Sequence, residues 1–169
     1  MCCTALAPYY YCEKITYTIV LVFVECVQPI NGIIDPTTFY SHIKKKAIST
    51  ELAPLATGPF SQAVDAKGLV FTSGQIHLTP SGELLEGTIQ EKTHQVLKNL
   101  QNILDATRCT FADVVKVSIY VTDMSNYASI NEVYATYFKA PFPAREIICV
   151  RSLPLGADLE ISIIAVKNT

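Results

Sequence analysis

Two ionisable side chains stand where charge is unusual. Arg145 follows Pro143 and Ala144 at the start of an apolar stretch, and Glu160 sits between Leu159 and Ile161. A planar guanidinium can hold a carboxylate through two parallel hydrogen bonds. A carboxyl buried among apolar neighbours has its pKa raised, which suits it to acid/base work. The bland alternatives are a surface salt bridge of Arg145 with Glu146 and an exposed edge position for Glu160; spacing alone leaves both readings open. The segments Gly58-Pro59-Phe60-Ser61-Gln62 and Thr72-Ser73-Gly74-Gln75 are polar turns that could offer backbone donors. Neither is a phosphate loop, since GxxxxGK[ST] and GxGxxG are both absent. His42, His77 and His94 lack metal-ligand spacing, and His94 reads as a helix-surface residue. No Ser-His-Asp or Cys-His arrangement follows from the order alone. The expectation is a site without metal or organic cofactor.

These groups need a framework, and hydrophobic periodicity predicts one. Residues 68–75 (GLVFTSGQ) read as a strand rich in β-branched and aromatic side chains. Gly74 ends it or lets another group approach closely. Thr79-Pro80-Ser81-Gly82 is a turn. Thr88 and Glu91 fit the capping box T-x-x-E and open a helix. Val96, Leu97, Leu100, Ile103 and Leu104 give it one apolar face, opposite Lys92, Gln95, Lys98, Asn99, Asn102 and Asp105. The helix fades near Thr107. Residues 114–122 alternate, with Val115, Val117, Ile119 and Val121 on one face and Lys116, Ser118 and Tyr120 on the other. A second helix begins near Ser125, and its stripe of Tyr127, Ile130, Tyr134, Tyr137 and Phe138 reads as core. Pro141 and Pro143 close it. Residues 144–150 form a strand, residues 153–158 a loop with Pro154 and Gly156, and residues 159–166 the last strand. That strand has Leu159, Ile161, Ile163 and Ala165 on one face. This order predicts an α+β fold with a single sheet and two helices packed on one face. The other sheet face, with Ile164, Val166, Val114 and Tyr120, is too apolar for water, so an oligomer is expected.

Composition narrows the function classes. Of 169 residues, 50% are hydrophobic and 17% charged, and mean hydropathy is +0.29. Global disorder requires the opposite balance, and the chain is long enough to bury a substantial core. Net charge is −2, with a pI near 5.9, so no global positive field for nucleic acid exists. The only basic run is Lys44-Lys45-Lys46. The chain divides into residues 1–46, net +1, and residues 47–169, net −3.

The first part carries Cys2, Cys3, Cys12 and Cys26 and the apolar run of residues 15–27. That run is too short to span a bilayer, which takes about 20 residues. As a signal-peptide core it lacks a basic flank and an Ala-x-Ala-like site, and a mitochondrial presequence should be Arg-rich, whereas the first arginine is Arg108. A targeting segment, an added strand or tail, and a gene-model artefact stay open for residues 1–46. No CxxC pair signals a zinc or redox site. Cys109 and Cys149 are expected as buried free thiols.

The segments add up to a resemblance. In order, the chain contains GPFSQA (residues 58–63), FTSGQI (71–76), VVK (114–116), Asn131 with Tyr134, PAR (143–145), and Leu153-Pro154 followed by Leu159-Glu160-Ile161. Residues 47–169 resemble the reactive intermediate deaminase family, also called Rid or YjgF-like. The resemblance implies a chorismate-mutase-like α+β fold and a homotrimer with active sites between subunits. It implies cofactor-free hydrolysis of enamines and imines (2-aminoacrylate, 2-iminobutanoate and 2-iminopropanoate) to 2-keto acids and ammonia. Arg145 would hold the substrate carboxylate, and Glu160 would activate water and pass a proton to the departing ammonia. Phe60, Ser73, Gly74, Asn131 and the main chain at Ile147 would line the pocket. The expected partner is a small-molecule imine, with no nucleic acid, and no membrane for residues 47–169. The compartment is read as cytoplasmic, with mitochondrial as the alternative.

Two departures stand out. The family usually has tyrosine where this chain has Phe60, and a small residue where it has Glu146. A lost hydroxyl costs about 1 kcal/mol of binding, roughly several-fold in rate. Alternation should point Glu146 away from Arg145. Two other functions are carried forward: a ligand-binding or chaperone-like trimer without turnover, which these departures allow, and an RNA-cleaving translation inhibitor, an activity attributed to some members of the family. The acidic balance argues against the second.

Overall fold

The amphipathic patterns assemble as one mixed sheet with two helices against it. The computed structural model describes residues 44–167. The targeting, strand and tail readings of the N-terminal segment fall on residues 1–43, outside the described residues. The strands are β1 (Lys45–Ile48), β2 (Ala63–Ala66), β3 (Leu69–Thr72), β4 (Gln75–Ile76), β5 (Val114–Val121), β6 (Ala144–Cys149) and β7 (Leu159–Val166). The helices are α1 (Ile89–Thr107) and α2 (Tyr127–Tyr137). The sheet order is β1-β2-β3-β7-β5-β6, with β4 also paired to β7. Among the described strands only β5 and β6 run parallel, joined through α2 as a parallel crossover requires. Strand β1 begins at Lys45, two residues before the boundary drawn from composition, because Lys45 and Lys46 pair with Ala66 and Asp65.

Helix α1 starts where its cap is written. Thr88 accepts from the Glu91 amide, and the Glu91 carboxylate accepts from the Thr88 amide at 2.8 Å, completing the capping box. Val96, Leu97, Leu100, Ile103 and Leu104 are fully buried against Val117, Ile119, Leu159, Ile161 and Ile163 of the central strands. Ile130, Val133 and Tyr134 of α2 join the same core. Burying a side chain such as Leu97 stabilises by about 1.5–3 kcal/mol.

Four sequence expectations need correction. Asn99 is fully buried, not on the polar face of α1; its amide donates to the Leu78 carbonyl at 2.8 Å and ties the helix to the segment after β4. A register shift between Val114 and Lys116 turns Val114 inward and leaves Val115 exposed, reversing their assigned faces. One extra residue in a strand moves every side chain before it to the other face. The strand predicted over residues 68–75 breaks after Thr72, because the Ser73 amide donates to the Gln62 carbonyl, away from β7. Cys109 is buried as expected, but Cys149 is exposed near the end of the edge strand β6.

The face of the sheet away from the helices carries an apolar patch. Leu69, Phe71, Ile148 and Val166 are exposed on it. This is the surface that the strand pattern assigned to a partner subunit.

Candidate active site

The loop before β2 builds the first half of the site. The Gln62 side chain is buried and reads that loop in detail. Its amide donates to the carbonyls of Thr50 at 2.9 Å and Pro54 at 2.8 Å, and its oxygen accepts from the Thr50 amide at 2.6 Å. Ser73 donates its hydroxyl to the Ser61 carbonyl at 2.6 Å. These bonds fix Pro54, Leu55, Thr57 and Phe60 as one wall of a pocket of about 340 Å³. Gly74, Gln75 and Ile76 form its floor, and Pro154 and Leu155 its far side.

Glu160 enters this pocket from β7. It is in register with Ile76 of β4 and on the face opposite the core residues Leu159 and Ile161. Its carboxylate lies directly over Gly74, where a Cβ would fall 1.7 Å from Oε1. Among the described residues it has no hydrogen-bond or ion-pair partner. Burial therefore acts unopposed and pushes its carboxyl above the ordinary carboxylate range. A half-buried, unpaired carboxyl with a raised pKa can accept a proton from water and release it again.

The far side of the pocket is pinned by a histidine that sequence reasoning left without a role. His77 is buried, its Nδ1 2.9 Å from the Leu85 carbonyl and its Nε2 accepting from the Asp158 amide at 3.1 Å. With Nδ1 as donor and Nε2 as acceptor the ring is neutral. Burial, the largest influence, holds its pKa below the usual value. Asp158 also pairs with Lys92 of α1.

Arg145 belongs to a separate cluster. Its Nη1 donates to Asn131 Oδ1 at 2.7 Å and its Nη2 to the Tyr127 hydroxyl at 3.4 Å. The guanidinium carbon lies 4.7 Å from the Tyr134 ring centroid, a cation–π contact. Tyr127, Asn131 and Tyr134 sit one helical turn apart along α2, so one helix face surrounds the arginine. Glu146 does not compete for it. Its carboxylate is held by Lys116 and Ser118 on the opposite face of the sheet, and those bonds, Lys116 first, draw its pKa down.

Within one chain, Arg145 and Glu160 do not meet. Arg145 is in register with Val117, and Val117 with Ile163, three residues past Glu160. An odd step along a strand changes face, so Arg145 lies on the helix side and Glu160 on the other. Strand β5 also stands between them. Ordinary strand spacings put their backbones roughly 10 Å apart across the sheet and roughly 10 Å along it.

Of the residues singled out from sequence, Phe60, Gly74 and Glu160 come together in the pocket. Ser73 supports the pocket from behind through Ser61. Asn131 joins Arg145. Ile147 lies on the same edge strand as Arg145, its side chain packed against the core. Sequence reasoning missed Tyr127 as a neighbour of Arg145 because its spacing fits a core stripe equally well; it is 42% exposed. Gln62 and His77 were also missed, and nothing local marks either as buried.

Among the described residues no cluster of three or more His, Cys, Asp or Glu could hold a metal ion. None of their helices is long and apolar enough to cross a membrane.

The fold and the site define a small α+β protein with an unpaired carboxyl over a glycine and an aromatic-clamped arginine. Residues 50–167 match the family model described as endoribonuclease L-PSP, and the chain belongs to this family, that of the reactive intermediate deaminases. It is 45% identical over 129 residues to the 2-iminobutanoate/2-iminopropanoate deaminase of Mus musculus, covering 76% of this chain and 96% of the mouse protein. It is 45% identical over 126 residues to Reactive Intermediate Deaminase A, chloroplastic, of Arabidopsis thaliana, covering 74% and 67% of the two chains. The crystal structure of yeast Mmf1 superposes with a TM-score of 0.72 at 42% identity, covering 74% of this chain and all of the yeast one.

Proposed function

We propose that this chain hydrolyses 2-aminoacrylate, 2-iminobutanoate and 2-iminopropanoate to 2-keto acids and ammonia. The observation that carries the reading is the unpaired, half-buried Glu160 carboxyl over Gly74 in a mostly apolar pocket. The name of the mouse relative supports the substrate class.

In this reading Arg145 binds the substrate carboxylate. Water adds to the carbon of the protonated imine while Glu160 accepts its proton, giving a carbinolamine. Glu160 returns that proton to nitrogen and takes the hydroxyl proton of the carbinolamine as the C–N bond breaks, leaving a 2-keto acid; the departing ammonia carries the remaining proton away as ammonium. Enamines enter as their imine tautomers. Phe60 excludes water from one side, Gly74 leaves room for the Glu160 carboxylate, Ser73 holds the wall, and the Ile147 main chain faces the attacking water. Asn131 orients Arg145.

Arg145 and Glu160 project from opposite faces of one sheet, so this reading requires Arg145 of one copy to face Glu160 of another. A homotrimer joined through the Leu69, Phe71 and Val166 face would do so and would cover that apolar surface. We place the activity in the cytoplasm, with mitochondria as the alternative; cell fractionation decides between them.

The test generates 2-iminobutanoate in situ with threonine dehydratase and traps free imine with semicarbazide. The protein is expected to lower semicarbazone formation and speed 2-oxobutanoate release. A second reading, binding without turnover, is favoured by Phe60, which brings no hydroxyl into the pocket. Unchanged trapping by a protein that still binds 2-oxobutanoate would select it.

A further inference from the structure

The hydrogen bonds around Arg145 leave one donor unspent. Arginine only donates, so the Tyr127 oxygen is the acceptor of the Nη2 bond at 3.4 Å. Asn131 has its carbonyl oxygen committed to Nη1 at 2.7 Å, leaving its amide, also a donor, beside the same phenol. Both neighbours lower the Tyr127 pKa, Asn131 first and Arg145 next, as donors to a phenol oxygen must. With its oxygen accepting, the Tyr127 hydroxyl proton has no acceptor among the described residues.

The ring positions say where that proton can go. Tyr134 takes one face of the guanidinium, and Asn131 takes Nη1. Tyr127 is 42% exposed, with its hydroxyl beside Nη2. A group approaching the open part of the guanidinium therefore meets the hydroxyl too. It must accept from both, and a carboxylate satisfies the two donors with its two oxygens.

We propose that Tyr127 is a second carboxylate-binding residue, its hydroxyl donating to the substrate carboxylate beside Arg145. This rests on the deaminase reading above. Tyr127 acts on binding, and its hydroxyl takes no part in the proton transfers assigned to Glu160.

The experiment compares wild type and Tyr127→Phe as full chains. It measures steady-state hydrolysis of 2-iminobutanoate, and calorimetric binding of 2-oxobutanoate and of its neutral amide, 2-oxobutanamide. Tyr127→Phe is expected to raise KM about tenfold, the effect of one hydrogen bond to a charged group, with kcat within about twofold. Binding of 2-oxobutanoate should weaken about tenfold and binding of the amide should not change. A merely structural role would weaken both ligands alike and lower kcat, and that result overturns the proposal. So does an unchanged KM and Kd. Wild type that binds 2-oxobutanoate in a Tyr127-dependent way without turning over imine would sink the deaminase reading and keep the carboxylate site. Wild type that neither turns over imine nor binds the keto acid would sink both.

Discussion

The Glu160 carboxylate occupies the space that a side chain at Gly74 would need: a Cβ there would lie 1.7 Å from Oε1 and 2.5 Å from the carboxyl carbon. The clash is with the end of a movable side chain, so Gly74→Ala should displace Glu160 more than it damages the fold. The expected outcome is a fall in kcat of about 10²-fold or more, the scale of a misplaced acid/base group. Thermal unfolding should change little, which distinguishes displacement from collapse.

Glu160 should also set a pH dependence. Its pKa is raised by burial, so the carboxylate proposed to accept water's proton is lost at a pH above the ordinary glutamate range. The acid limb of kcat should therefore lie higher than 4.5, the unperturbed value, and Glu160→Gln should abolish turnover. Stability has its own sign. A raised folded pKa means the stabilising protonated form is lost as pH rises through that pKa. Glu160→Gln should thus gain stability over wild type at pH 7 and lose that advantage at pH 4, read from urea melts at the two values.

His77 predicts the opposite slope. Its folded pKa is depressed from 6.5 by burial, so the unfolded chain takes up a proton that the folded one does not. Stability should fall as pH drops below about 6.5 and flatten again below the folded pKa. Replacing His77 with Gln should flatten that part of the profile while lowering stability overall by about 1–3 kcal/mol, since the bonds to Leu85 and Asp158 would be remade poorly.

Arg145→Ala should act mainly on KM. Losing the charged partner proposed for the substrate carboxylate should cost about 10- to 100-fold in kcat/KM. Arg145→Lys should rescue little, because an ammonium reproduces neither the two-pronged geometry nor the stacking over Tyr134. Both are read from the imine-trapping assay.

The exposed sheet face tests the assembly. Phe71→Glu places a charge among Leu69, Ile164 and Val166. If the proposed trimer forms through this face, the substitution should shift sedimentation from trimer to monomer and abolish activity together, because Arg145 and Glu160 would then have no partner copy. A monomer that stays active would refute the shared site.

Much of this protein was legible along the chain. The Thr88 and Glu91 cap, the stripe from Val96 to Leu104 and the alternation of Leu159, Ile161, Ile163 and Ala165 depend on neighbours within a few residues. A linear pattern therefore encodes them directly. Arg145 and Glu160 stood out for the same reason, as charges in apolar strands, and alternation alone turned Glu146 away. The sheet order could not be read this way. It places β7 between β3 and β5, and the pairing registers then put Arg145 and Glu160 on opposite faces. The inward turn of Val114 depends on the partner strand that its bulge must match. Asn99 and His77 are buried because carbonyls distant in the chain, or an amide 81 residues away, come to meet them. Tyr127 becomes a neighbour of Arg145 only when β6 returns beside α2. Short-range periodicity wrote the elements and marked the reactive groups. Contacts between residues far apart in the chain decided which of those groups meet, because no local pattern carries the energy of a distant pairing.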